Sequence, residues 1–316
     1  MKALVWYGET DLRYEEVAEP EPAPDEVLVE VALAGICGSD LHGYRGHPGP
    51  RVPPLVLGHE VVGFAEGKLV TVYPLVCCGA CARCRAGEDN LCADWRLLGI
   101  HRPGVFADKV AVPRRCLVAL PPQLELRRAV LAEPLACCVG ALAPQPPKPG
   151  SAVTVLGAGP IGLLTVSLAA AAGATVTAVD PVEARLDQAR RLGAAETCAS
   201  VEELEPDSAE LVVDAAGFAA TWRAALATVR TGGSVVVLGL GQAEAPFPMA
   251  LLVRRSIRLR GQFAYSRADF ARAVELLERG ELELGWLAQA RLADAAQAFA
   301  SLVEHPELTQ KVLLEP

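Results

Sequence analysis

In the second half of the chain short apolar runs alternate with helical stretches, and this alternation restricts the fold more than any other feature. From Ser151 the segments read AVTVLG, IGLLTVSLAAAAG, TVTAVD, ARLDQARRLG, AELVVDAAG, ATWRAALATV and GSVVVLGLG, strand and helix in turn. Continuous apolar strands need cover on both faces, so a parallel sheet between helices is expected. Right-handed crossovers then make the segment a doubly wound α/β domain. After IRLRG at 257–261, two amphipathic helices near 267–279 and 293–304 precede a last strand, KVLLE. The first 140 residues differ. Strand-like VLVEVALAGI (27–36) and turn-rich GHPGPRVPP (46–54) predict a β-rich lobe, and PQPPKPG at 144–150 marks a boundary.

A chain of 316 residues exceeds what one core usually supports, so two domains are expected. It is 52% hydrophobic, yet no window reaches the roughly 18–20 apolar residues of a membrane span. A net charge of −9 and the lack of a basic block argue against nucleic acid as a partner. The opening MKALVWYGETDLRYEE turns acidic before an apolar stretch of secretory length, which points to the cytoplasm.

In that setting Cys78, Cys81, Cys84 and Cys92 in CGACARCRAGEDNLC read as a metal cage rather than disulfides. Four thiolates suit Zn²⁺ and leave no open position, so this ion is structural. Cys77, adjacent to Cys78, leaves the register ambiguous by one residue. Cys116 and Cys198 read as buried small hydrophobes.

Gly157, Gly159 and Gly162, with Pro160 and Ile161 between them, form GAGPIG after the strand VTVL and at the start of a helix. The first two glycines allow the turn and the close approach of a pyrophosphate to the helix N-terminus; the third lets helix pack on strand. The next strand ends in Asp180, 23 positions after Gly157, where a carboxylate accepts from a ribose diol and repels a 2′-phosphate. NAD is therefore expected over NADP, with Arg185 as the residue that leaves the choice open.

GICGSDLH (35–42), GHE (58–60) and EPLACC (133–138) bring further donors: Cys37, His59, Glu60 and Glu133. Mixed S, N and O donors are what a catalytic zinc with one open position uses. Together with the cysteine lobe and the glycine motif, these groups make the chain resemble the zinc-dependent medium-chain alcohol/polyol dehydrogenases along nearly its whole length. The resemblance implies a β-rich GroES-like catalytic domain, 1–143 completed by 267–316, and a Rossmann coenzyme domain, 144–266. It also implies two zinc ions per chain, with Cys78 rather than Cys77 in the cage. Cys37 and His59 become ligands of the catalytic ion, with Glu60 or Glu133 completing the set and Cys137 and Cys138 as competing donors. EPLA points to the branch of sorbitol, threonine and butanediol dehydrogenases.

The implied reaction moves a hydride between NAD(H) and a secondary alcohol or polyol and its ketone, in a homodimer or homotetramer. Ser39 takes the alcohol proton and passes it toward His42, whose ordinary pKa near 6.5 suits a shuttle. Asp40 accepts the remaining N–H of His59 and fixes its tautomer. Tyr44, Trp95, His101 and Phe106 lie near substrate-pocket positions of the family. Tyr265 is present, but Ala264 stands where sorbitol dehydrogenases carry arginine, and Ser39 where threonine dehydrogenases carry threonine. Between GHE and the lobe the chain has only VVGFAEGKLVTVYPLVC, shorter than its relatives, read here as trimmed strands with intact ligand positions. An NAD-binding sensor that has lost catalysis and an L-threonine 3-dehydrogenase-like enzyme are the alternatives.

Overall fold

The strand Glu26–Gly35 organises the first half of the molecule. Val27, Val29, Val31 and Leu33 fall on its buried face with the period of two that a half-covered strand requires. It pairs antiparallel with Glu60–Ala65, with Lys109–Pro113 and, at its end, with the last strand of the chain, Lys311–Glu315. That last strand also runs parallel to Leu287–Arg291. The core between these strands and the helix Ala295–Glu304 is built from Leu4, Val29, Leu57, Phe106, Phe299 and Leu314. In this computed structural model, residues 1–316 are described apart from 48, 281 and 306–310.

Two compact units result, Met1–Glu133 with Ser266–Pro316, and Pro134–Tyr265. The division falls before the proline run rather than within it. Helix Ala132–Leu142 explains this: Arg260 donates to the carbonyls of Gly140 and Ala141 at its C-terminal end, and Cys138 Sγ donates to Ile161 O. The Arg260 bonds satisfy orphan carbonyls at the helix end, and with the Cys138 bond they attach most of the helix to the second unit. The compact units thus divide at 133 and 134, ten residues before the limit of 143 and 144 read from the sequence.

Between His59 and the cysteines, Glu60–Ala65 and Lys68–Val72 form a tight hairpin. Its two turn residues, Glu66 and Gly67, have φ of 51° and 74°, the left-handed pair that matches the twist of the flanking strands. The shortened segment is thus a complete hairpin with a minimal turn.

The second unit holds a six-stranded parallel sheet. From edge to edge it runs Glu196–Cys198, Thr175–Val179, Ala152–Leu156, Ala209–Asp214, Val229–Val237 and Arg258–Gly261. The order reverses at Ala152–Leu156, the switch point of a doubly wound sheet. The three-residue edge strand Glu196–Cys198, too short for a periodic signal, and the helix Met249–Arg254 have no counterpart in the sequence reading. Among the described residues, no helix is long and apolar enough to cross a membrane.

Candidate active site

The four cysteines of the lobe meet. Helix Ala82–Arg85 begins at Cys81, whose Sγ accepts from Cys84 N at 3.4 Å, and Cys78 Sγ accepts from the N–H groups of Ala80 and Cys81 at 3.4 and 3.3 Å. The Sγ atoms stand 3.5 Å apart for Cys81 and Cys84, 3.6 Å for Cys78 and Cys92, and 3.9 Å for Cys78 and Cys84. A tetrahedron with Zn–S bonds of about 2.3 Å has edges of about 3.8 Å, whereas a disulfide brings sulfurs to about 2.05 Å. The cage fits zinc. Backbone donors pull the Cys78 thiol down to about 6, while desolvation first, and then the neighbouring sulfurs, push Cys84 up to about 12. A cation bound among the four sulfurs would favour their thiolate forms, which is what zinc supplies. Cys77 lies outside the cage, buried, with its Sγ donating to Asp89 O at 3.0 Å. Asp89 also fastens the lobe to helix Arg267–Glu278: its Oδ1 accepts from Arg267 N at 3.2 Å, and Arg267 Nε lies 3.3 Å from its Oδ2.

A second donor group forms from Cys37, His59 and Glu60, with one ligand atom of each within 4.8 Å of the others. Local sequence makes it. Cys37 caps helix Gly38–Tyr44, and Asp40 Oδ2 accepts from Cys37 N at 3.1 Å, a reciprocal capping arrangement. Gly58, at φ 92°, turns the chain so that His59 and Glu60 enter the site; a Cβ there would stand 2.6 Å from the Phe106 ring. Burial alone would lower the His59 pKa, but Cys37, Asp40 and Glu133 reverse this and hold it up to about 10. A site that retains a proton so firmly favours positive charge, which is what a metal supplies. Glu133, buried on helix Ala132–Leu142, acts on His59 through its charge but is not among the three clustered donors. Cys138 is directed at the carbonyls of Pro134 and Ile161.

Ser39 Oγ is buried without a hydrogen-bond partner among the described residues. His42, three positions on, shares its helix face and is held below the ordinary histidine value by desolvation first, then by His47, Arg45 and Arg51. Two charged residues of this unit escaped sequence reading. Lys311 is 2% exposed and pairs with Glu60. Arg51 is buried beside Asp40. Neither carries a motif, and Lys311 is 251 residues from its partner. Of the pocket candidates, Phe106 is fully buried and Tyr44 and Phe106 both pack on Phe299, so they belong to the core. Trp95 meets His101 edge to face at 4.8 Å. Tyr265 is fully buried in the second unit.

The coenzyme cradle lies at the switch point of the parallel sheet. Gly157 has φ 91°, and a Cβ on Gly162 would stand 1.8 Å from Gly157 O, so helix Pro160–Ala171 approaches the turn only because that side chain is missing. A Cβ on Gly159 would meet nothing within 4 Å, which leaves space over the helix N-terminus for a phosphate. Asp180, 3% exposed, accepts from Ala158 N through Oδ2 and from Val182 N through Oδ1, both at 2.9 Å. Arg185 Nη1 donates to Asp180 Oδ2 at 3.4 Å.

A doubly wound sheet with a glycine cradle, a thiolate cage and a separate S, N and O donor group together define a two-unit, metal-using nicotinamide oxidoreductase. The comparisons with known proteins agree. Residues 160–279 match the zinc-binding dehydrogenase family and residues 23–122 the alcohol dehydrogenase GroES-like domain. The sorbitol dehydrogenase of Bacillus subtilis is 31% identical over 100% of this chain and 97% of its own length. A zinc-binding dehydrogenase of Sinorhizobium meliloti bound to NADP superposes with a TM-score of 0.90 at 34% identity, covering 100% of this chain and 99% of that one. Acetophenone reductase of Geotrichum candidum in complex with NAD gives 0.92 at 27% identity, covering 100% and 97%. The chain belongs to the zinc-dependent medium-chain alcohol/polyol dehydrogenase family.

Proposed function

We propose that this protein oxidises a secondary alcohol or polyol with NAD⁺, and reduces the corresponding ketone, with Cys37, His59 and either Glu60 or Glu133 holding a catalytic zinc. The observation that carries this reading is the clustering of Cys37, His59 and Glu60, with Ser39, two residues after Cys37, holding a buried hydroxyl that has no hydrogen-bond partner among the described residues. When bound, zinc supplies Lewis acidity that lowers the pKa of an alcohol, and NAD⁺ accepts the hydride. The chain's own residues do the rest. Ser39 Oγ receives the alcohol proton, and His42, kept neutral by its surroundings, takes it toward solvent. Asp40 Oδ1 lies 3.8 Å from His59 Nδ1, beyond hydrogen-bond range, so it orients the ring by its charge rather than by accepting its N–H. Cys78, Cys81, Cys84 and Cys92 hold the structural ion. Gly157, Gly159, Pro160, Ile161 and Gly162 seat the pyrophosphate, and Asp180 receives the adenosine ribose. Arg185 is already engaged by Asp180, which supports NAD over NADP.

The polyol class is supported by Glu133 in EPLA and by the likeness to sorbitol dehydrogenase; Ala264 argues against sorbitol itself. Ten cysteines, none of them in a disulfide among the described residues, suit the reducing cytoplasm. A homo-oligomer is supported by the open edge strand Arg258–Gly261, beside an apolar cleft of Trp222, Leu226, Phe247 and Leu259. The test is a panel of secondary alcohols and polyols with NAD⁺ and with NADP⁺, followed by absorbance of the reduced coenzyme, on protein of known zinc content. Turnover that needs zinc and prefers NAD⁺ is expected; zinc-independent turnover, or none with any alcohol, overturns the reading.

A further inference from the structure

Arginine is almost never fully buried unless paired, yet the Arg51 side chain is 4% exposed. Its Nε donates to Gly99 O at 3.1 Å and its Nη2 lies 3.7 Å from Asp40 Oδ1. Asp40, completely buried, is thereby shared: the same Oδ1 lies 3.8 Å from His59 Nδ1, and Oδ2 accepts from Cys37 N. One carboxylate hydrogen-bonds Cys37 N and lies in ion-pair range of His59, and Arg51 is the permanent cation beside it. The backbone is shaped to admit the guanidinium. Gly43, on the helix that carries Asp40, would place a Cβ 3.3 Å from Arg51 Cδ. Gly99, at φ 69°, lies so close to Gly58 that a Cβ would come within 2.6 Å of Gly58 N. Arg51 therefore grips both flanks of His59: Asp40 on one side, and on the other the residue stacked on the glycine that introduces His59.

We propose that Arg51 is a positioning residue for the catalytic metal, acting through Asp40 to hold the His59 ring with Nδ1 toward the carboxylate and Nε2 toward the donor group. This rests on the reading of Cys37 and His59 as ligands. The Gly99 bond extends the same grip to the turn that carries His101, whose ring packs on Trp95. Without Arg51 the Asp40 carboxylate loses its fixed partner and the ring its reference. Partners of metal-bound histidines of this kind are worth about 10–100-fold in metal affinity or activity.

The test uses the full-length, zinc-loaded protein and the variants Arg51→Met, Arg51→Lys, Asp40→Asn and the double variant Arg51→Met/Asp40→Asn. Zinc affinity is read by competition with a chromogenic chelator, with the lobe ion as internal reference, and the His59 tautomer by ¹⁵N NMR of histidine-labelled protein. Arg51→Met should weaken the catalytic ion by about 10–100-fold, spare the lobe ion and disturb the tautomer. Arg51→Lys should recover most of the affinity, and Arg51→Met should add little once Asp40 is Asn. Wild-type affinity and tautomer in Arg51→Met, or losses that multiply fully in the double variant, overturn the proposal. If Arg51→Met does not fold, the chelator competition on Arg51→Gln decides by the same criteria. Wild-type protein that holds only the lobe ion refutes the metal reading itself, an outcome distinct from failure of the Arg51 variants.

Discussion

Lys311 Nζ and the Glu60 carboxylate form a fully buried ion pair across 251 residues of sequence, and the same Nζ donates to Ile36 O at 2.9 Å. Gly35 leaves the room: a Cβ there would stand 2.1 Å from Glu60 Oε2. Burial alone would lower the lysine pKa, but Glu60, Cys37 and Glu133 hold it above its ordinary value. The last strand of the chain thus delivers a positive charge to the back of an acidic donor group. Lys311→Met should destabilise the first unit by about 3–5 kcal/mol, since an uncompensated buried carboxylate remains. Urea unfolding checks this, and Lys311→Met/Glu60→Met should be more stable than Lys311→Met alone.

His59 holds a proton up to about 10 when no metal is bound. Zinc must displace that proton, so affinity at this site should rise with pH until His59 deprotonates unaided. Calorimetric titration of zinc-depleted protein, in buffers of different ionisation enthalpy at neutral pH, should show proton release that His59→Ala diminishes. Equal proton release from both proteins would contradict this account of the site.

The downward shift of His42 favours its neutral form. Its proton is therefore lost below the ordinary histidine value of about 6.5, and the acid limb of the kcat profile should lie below that pH. In His42→Ala that limb should vanish and kcat should fall by about 10²-fold, the lower end of general acid–base contributions. Steady-state rates across about pH 5–8 decide it.

Cys81→Ser should remove the lobe ion alone, whereas Cys77→Ser should leave zinc stoichiometry unchanged, because Cys77 Sγ points at Asp89 O rather than into the cage. Elemental analysis of the two purified variants separates the cases.

Asp180→Ala should release Arg185 and remove a carboxylate that repels a 2′-phosphate. The ratio of kcat/KM for NAD⁺ to that for NADP⁺ should fall by at least about tenfold, or 1.4 kcal/mol. An unchanged ratio would remove Asp180 from coenzyme choice.

The sequence by itself determined whatever depends on local order. Period-two burial in Glu26–Gly35, the GAGPIG turn with Asp180 beyond the next strand, and thiols three, three and eight residues apart are all set by neighbours along the chain. A cage closed within fifteen residues needs little more than its own turns. Tertiary structure alone decided what crosses long separations. It brought Lys311 to Glu60 because the final strand pairs with Glu26–Gly35, and it set Arg51 between Asp40 and Gly99. It also assigned Tyr44 and Phe106 to the core around Phe299, where residue type alone suggested a pocket. A lone lysine or arginine is written in sequence like any solvent-exposed charge. Only the loss of water around it, and the carboxylate that replaces that water, makes it part of a site.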